Sequence, residues 1–402
     1  LGVCCAEATW VHAIAQNDKP RPRRAKPFVM EPFKNLFSAE LVRCTAHHLR
    51  RHIKQFDPRS FEASVLRQLD ALELKARAQL IADHVHAALP TDPAQRERIL
   101  LAMLHPDDLE HANQPASDEG MCGWGILPLA QVVAQHGLQD FDRSMRLLRE
   151  MTKRFTAEYA VRPFLLADQS RAINILGTWV DDPNHHVRRL VSEGSRPRLP
   201  WAMQLPELKR DPSPMLPLLE HLRDDASPYV RRSVANHLND ISKDHPELIT
   251  TLAASWRRSA SKEREALLRH ACRGLIKQGH AAALAVFDRH PPKLKKGPLQ
   301  LSAPSVRMGE VLEIKMTLRS TAQIPQQLTV DYVLHFLKAN GQRSPKVFKG
   351  ALLTLAPGES ITFCRSHRFR EVTTRKHYPG EQGVCLRING VDTEVVGVVL
   401  HN

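Results

Sequence analysis

Part of the chain repeats itself. WVDDPNHHVRRLVSEG, starting at Trp179, aligns with LRDDASPYVRRSVANH, starting at Leu222, an offset of 43 residues. Asp181 and Asp182 fall on Asp224 and Asp225. Val187, Arg188 and Arg189 fall on Val230, Arg231 and Arg232, and Val191 falls on Val234. Self-similarity at a period of about 40–47 residues marks helical pairs that must stack, because no single unit can bury its apolar face alone. In each unit the turn aspartate is expected to cap the next helix, the valine to pack inward and the arginine to point out. A weaker third copy runs from Glu263 to Gly279.

Helical periodicity extends well beyond the repeat, from about Asn35 to His290. Ser38 can cap a helix with Glu40 in its first turn, and Leu41, Leu49, Ile53 and Phe56 follow at helical spacing until Asp57-Pro58. Phe61 to Leu89 repeats the theme. After Phe287 the character changes. PPKLKKGPLQ reads as a basic, proline-bearing linker. Beyond it lie short alternating segments, Val311–Leu318, Gln327–Leu337, Ala351–Leu355, Ser360–Phe369, Gly383–Ile388 and Val395–Leu400, separated by turn signals such as Pro357-Gly358 and Asn389-Gly390. The fold expected is an all-α HEAT-like superhelical solenoid over residues 30–290, a linker over 291–298 and a small all-β immunoglobulin-like sandwich over 299–402. Residues 1–29 read as a disordered extension; either translation starts at Met30 or the basic stretch from Lys19 to Pro27 is a functional arm.

The formal charge of +14 and a pI near 9.7 favour a polyanionic partner, nucleic acid first and an acidic membrane surface second. No apolar run is long enough to span a bilayer. The seven cysteines form no C-x-x-C pair, so neither a disulfide framework nor a zinc knuckle is expected, and a reducing cytoplasm fits. The adjacent pairs His47-His48 and His185-His186 point to different helix faces and do not suggest a metal site.

Stacked repeats bring Arg188, Arg189, Arg231 and Arg232 into a ladder that could grip successive phosphates. They could equally pair with the turn aspartates. A binding scaffold has less use for carboxylates in apolar or arginine-rich surroundings, and three segments supply them. TAEYAVRPFL carries Glu158, SEGSRPRLPW carries Glu193 and Trp201, and HLNDISKDHP carries Asp240. Singly, such acids are more often structural.

The motifs EYAVRPFL, VRRLVSEGSRPRLPWAMQLPELKRDP, VRRSVANHLNDISKDHP and RHACRGLIKQG resemble those of the AlkC family of bacterial DNA alkylation repair glycosylases. RKHYPGEQGVCLRING resembles the end of the immunoglobulin-like domain that one branch of that family carries. The resemblance implies a solenoid that holds kinked duplex DNA, with the C-terminal domain also touching it. It implies hydrolysis of the N-glycosidic bond of cationic lesions, 3-methyladenine and 3-methylcytosine among them, without rotation of the base into a pocket. By motif, Glu158, Glu193, Trp201 and Asp240 line the lesion site.

Carboxylates suit that reaction, because the bond opens toward a positive, oxocarbenium-like sugar that they can stabilise while directing water at C1′. Glu158 and Asp240 are assigned to the sugar and water, Glu193 to an auxiliary role and Trp201 to the deoxyribose or base edge. Arg162, Arg188, Arg189, Arg196, Arg231, Arg232, Lys243 and Arg273 are the candidate DNA contacts. The partner expected is double-stranded DNA containing alkylated bases, met by a monomer in the bacterial cytoplasm without metal or cofactor. Two other readings remain: a non-catalytic scaffold that binds nucleic acid or protein, and a metal-dependent nuclease.

Overall fold

The computed structural model describes residues 32–106, 115–372 and 376–401, so the extension expected at 1–29 and the Met30 start lie outside the described residues. The helical part begins with α1 (Ala39–His52), α2 (Pro58–Leu69), α3 (Leu74–Ala88), α4 (Pro93–Met103), α5 (Ile126–His136) and α6 (Phe141–Thr152). It continues with α7 (Arg162–Ala167), α8 (Gln169–Gly177), α9 (His185–Gly194), α10 (Pro206–Arg210), α11 (Leu216–Leu222) and α12 (Pro228–Ile241). It ends with α13 (Pro246–Arg257), α14 (Lys262–Ala271), α15 (Arg273–Gln278) and α16 (Ala281–Val286). Ser38 Oγ caps α1 by accepting from Leu41 N at 3.4 Å. Asp57-Pro58 is the start of α2, an N-cap followed by a proline whose missing N–H costs nothing there.

The two copies of the repeat become α9 and α12, which pack on each other, with α6 against α9 and α14 against α12. Val187, Val191, Val230 and Val234 are all fully buried along this stack, each contributing about 2 kcal/mol over an exposed side chain. The turn aspartates act one step earlier than expected. Asp182 accepts from Asn184 N at 2.9 Å and Asp225 from Ser227 N at 2.8 Å. They fix the N-cap residues Asn184 and Ser227 and do not cap the helices themselves. In the weak third copy the helix breaks at Cys272 into α14 and α15.

The C-terminal part is two packed sheets. Its strands are β1 (Leu294–Lys296), β2 (Gln300–Leu301), β3 (Ser305–Arg307), β4 (Val311–Ser320) and β5 (Gln326–Leu337), then β6 (Arg343–Leu355), β7 (Ser360–Arg368), β8 (Gly380–Ile388), β9 (Val391–Asp392) and β10 (Val396–His401). One sheet runs β1-β4-β2 with β7 also on β4; the other runs β3-β10-β8-β5-β6 with β9 on β8. Strict alternation along β4 turns Leu312, Ile314, Met316 and Leu318 into the core. The expected linker is corrected here: Leu294–Lys296 pairs antiparallel with Ser320–Leu318, so the sandwich begins inside it. The first half of β6 also escaped the periodicity, because Pro345 and two lysines interrupt it. An edge position accommodates that proline.

The two parts meet backbone to backbone. Gly279 (φ 81°) ends α15 and Gly390 (φ 82°) turns between β8 and β9. A Cβ on Gly390 would lie 2.5 Å from the Gly279 carbonyl oxygen, so only glycine permits this approach. Arg387 donates to the Lys277 carbonyl, and Asn389 Nδ2 to the His290 carbonyl at 2.8 Å. Among the described residues no helix is long and apolar enough to cross a membrane.

Candidate active site

Glu158 lies in the turn that leads into α7. The Thr156 hydroxyl accepts from Glu158 N and donates to Glu158 Oε2 at 3.0 Å, which fixes the carboxylate over its own turn. The end of α9 comes down against this turn. A Cβ on Gly194 would strike Val161 at 2.6 Å, so the glycine lets Glu193 and Glu158 approach. Asp240 arrives from the last turn of α12, the helix that α9 stacks against.

Arginines join the three acids in one line. Arg189 donates to Glu158 Oε2 at 2.6 Å and lies 3.6 Å from Glu193 Oε1. Arg196 donates to Glu193 Oε1 at 2.6 Å and to Asp240 Oδ2 at 2.8 Å. Ser233 donates to Glu193 Oε2, and Lys243 to Asp240 Oδ1, at 2.6 and 2.9 Å. Burial by itself would raise the Glu193 pKa, but Arg189, Arg196 and Ser233 together hold it below its ordinary value. Side-chain exposure grades along the line, from 2% at Asp240 through 7% at Glu193 to 11% at Glu158. Glu158 and Asp240 therefore do not face each other as an equivalent pair. They end an alternating chain of charges, with Glu158 the more open and Asp240 covered by Arg196 and Lys243.

Trp201 sits in the loop after α9 and is 65% exposed, which rules out a core-packing role. Its φ is +64°, a conformation that costs a non-glycine residue about 1–2 kcal/mol. Lys75, at the start of α3, donates to its carbonyl at 2.5 Å. Exposure and a left-handed backbone together leave the Trp201 indole projecting from the loop, without a packing role in the core.

Comparison with known proteins places the chain as a whole. Residues 295–402 match the family described as "Uncharacterised protein YhaZ, C-terminal Ig-like domain". Protein YhaZ of Bacillus subtilis (strain 168) is 36% identical over 363 residues, which cover 90% of this chain and 97% of YhaZ. The alkylpurine DNA glycosylase AlkC of Pseudomonas fluorescens, solved bound to DNA containing an abasic site analog, superposes with a TM-score of 0.82 at 36% identity. That match covers 92% of this chain and all of the AlkC chain. The chain belongs to the AlkC family. Its helical repeat fold with a C-terminal Ig-like domain is the one the motifs implied.

Within this AlkC-family chain the candidate DNA contacts sort by exposure. Arg232, Lys243 and Arg273 are exposed. The first arginine of each repeat is not. Arg188 forms a two-bond pair with Asp225 and binds the Asp182 carbonyl, and Arg231 binds the Asp225 and Ala226 carbonyls. Arg149 on α6 reaches Asp182 in the same way at 2.7 Å. This ladder ties each helix to a turn, so the pairing with turn aspartates holds for Arg188, while Arg231 engages turn carbonyls through Nη1. Arg189 and Arg196 are committed to the carboxylate line. Arg162 is 0% exposed and cannot touch DNA in this structure.

Two residues beside the carboxylate line escaped the sequence reading. Tyr229 supports the Arg189 guanidinium from below, 4.9 Å from its ring centre. It stands just before the second Val-Arg-Arg, where a stacked helix meets its predecessor, and the repeat alone could have flagged it. His237 on α12 is fully buried, with Nδ1 2.8 Å from the Ser192 carbonyl and Nε2 without a partner among the described residues. Burial, against the Ser192 hydrogen bond and the charge of Asp240, pushes its pKa down to about 4. The unfolded chain therefore binds the proton first. Stability is expected to fall by about 3 kcal/mol from this group as pH drops from roughly 6.5 to 4. Urea unfolding at both ends of that window checks this, and His237→Asn should flatten the slope. Among the described residues no group of three or more His, Cys, Asp or Glu is arranged to hold a metal ion.

Proposed function

We propose that this chain is a monofunctional DNA glycosylase that hydrolyses the N-glycosidic bond of cationic alkylated bases in duplex DNA, 3-methyladenine and 3-methylcytosine among them, without flipping the base. The observation that carries the reading is the line Glu158–Arg189–Glu193–Arg196–Asp240 on a basic chain, with Trp201 projecting from the adjoining loop. The likeness over nearly the whole chain to an alkylpurine DNA glycosylase supports it.

In this reading Arg232, Arg273 and Lys243 meet phosphates while Trp201 packs against the deoxyribose. The lesion is already positive. When the C1′–N bond breaks, its electron pair leaves with the base and neutralises it, and the sugar becomes the cation. Glu158, the most open of the three acids, faces that cation and receives the proton of the water that adds to C1′. Asp240 joins it when Lys243, half exposed on its flexible stem, turns from Oδ1 to a phosphate. Glu193 keeps both arginines in place.

The decisive assay is release of free 3-methyladenine from methylated duplex DNA by the purified chain with EDTA present. Release is the expected result. Failure to release base while the DNA is bound would leave a scaffold, and release that EDTA abolishes would point to a metal-dependent reaction.

A further inference from the structure

Arg162 is among the largest fully buried side chains of the protein. Its guanidinium meets backbone oxygens from three places. Nη1 donates to the Gly194 and Arg196 carbonyls at 2.8 and 2.9 Å, and Nε and Nη2 donate to the Met203 carbonyl at 2.8 and 2.5 Å. No carboxylate is hydrogen-bonded to it among the described contacts. Burying an unpaired guanidinium is costly, and packing alone is served as well by an apolar side chain. What a planar fork with five N–H groups adds is fixed geometry between several acceptors.

The acceptors show what is fixed. Gly194 ends α9 directly after Glu193. Arg196 is the residue whose side chain bridges Glu193 and Asp240. Met203 follows Trp201 by two residues, across the left-handed turn that Trp201 itself makes. Arg162 thus fastens both ends of the 195–203 loop to the turn that carries Glu158.

We propose that Arg162 is a positioning residue that ties this loop to the carboxylate line and holds Trp201 in its strained, outward conformation. The role rests on the glycosylase reading for its effect on rate, but not for its effect on the loop. Lysine cannot replace it, because an ammonium group has three donors and no planar fork.

The test uses the full chain. With 5-fluorotryptophan in place of its five tryptophans, Trp201 gives one fluorine resonance, assigned by Trp201→Phe. In Arg162→Lys this resonance is expected to shift or broaden while the other four stay. Single-turnover base release is expected to drop about 100-fold, as for a misplaced reacting group, with affinity for undamaged duplex unchanged. In a Trp201→Ala background the same substitution should cost no more than about twofold, since the two act as one unit. Arg162→Gln, which leaves no buried charge, serves if the lysine variant does not fold. A Trp201 resonance identical to that of the parent, or an equal rate loss in both backgrounds, overturns the proposal. If the parent chain releases no base, the glycosylase reading fails, and the resonance still decides the role of Arg162.

Discussion

The chain carrying Glu158→Gln together with Asp240→Asn is expected to release 3-methyladenine from methylated duplex about a thousandfold more slowly than its parent, or worse. The figure follows from charge and distance. A carboxylate about 4 Å from the developing sugar cation stabilises it by roughly 4 kcal/mol at an effective dielectric near 20, a factor of about a thousand in rate. The amides keep size and shape while removing charge. Arg189 keeps Glu193 within 3.6 Å, and Arg196 keeps its 2.6 Å bond to Glu193, so the line should hold. Binding of undamaged DNA should stay within a few-fold of the parent or tighten, because two negative charges leave a basic surface.

The single substitutions add information. Glu158→Gln is expected to carry the larger loss, because Glu158 is the more open and Asp240 must first be uncovered. Residues in one network couple, so the two costs need not sum. Full base release by the double variant would refute the assignment. Loss of DNA binding in step with activity would do so as well, since it would mark the acids as structural.

The fold was largely legible because its signals are periodic. A repeat needs only matched positions, and Val187, Val191, Val230 and Val234 show the core they define. The strands β4, β5, β7, β8 and β10 and the second half of β6 declared themselves by alternation and turn residues. What sequence could not show was the destination of long side chains. Arg162, Arg188 and Arg232 look alike in the chain, yet the first grips buried carbonyls, the second closes on Asp225 and the third faces solvent. A guanidinium reaches far enough that tertiary neighbours, not sequence neighbours, decide its role. Burial of the acids escaped for the same reason. Their motif placed Glu158, Glu193 and Asp240 together, but only the packing of α9 on α12 shows Asp240 shielded.

Arg196→Met should reveal what that shielding costs. The guanidinium is nearly buried and bonds two carboxylates that are themselves buried. Its removal is expected to destabilise the chain by about 3 kcal/mol, the lower end for a broken buried pair, because Glu193 retains Arg189 and Ser233 while Asp240 retains Lys243. The pH dependence identifies the cause. In the parent the Glu193 carboxyl titrates below its ordinary value, so it contributes stability above that value and loses it as pH falls through the depressed one. Without Arg196 the burial effect is less opposed and the folded-state pKa moves up. The folded variant then holds its proton to higher pH, and its stability drops as pH rises. His237 pushes the same way, since Arg196 helps depress it and its acid penalty lessens in the variant. The gap between parent and variant in urea unfolding should therefore be widest near pH 7 and close toward pH 4. A gap that stays constant across that range would assign Arg196 to packing, and the line of charges would lose its middle member as an electrostatic element.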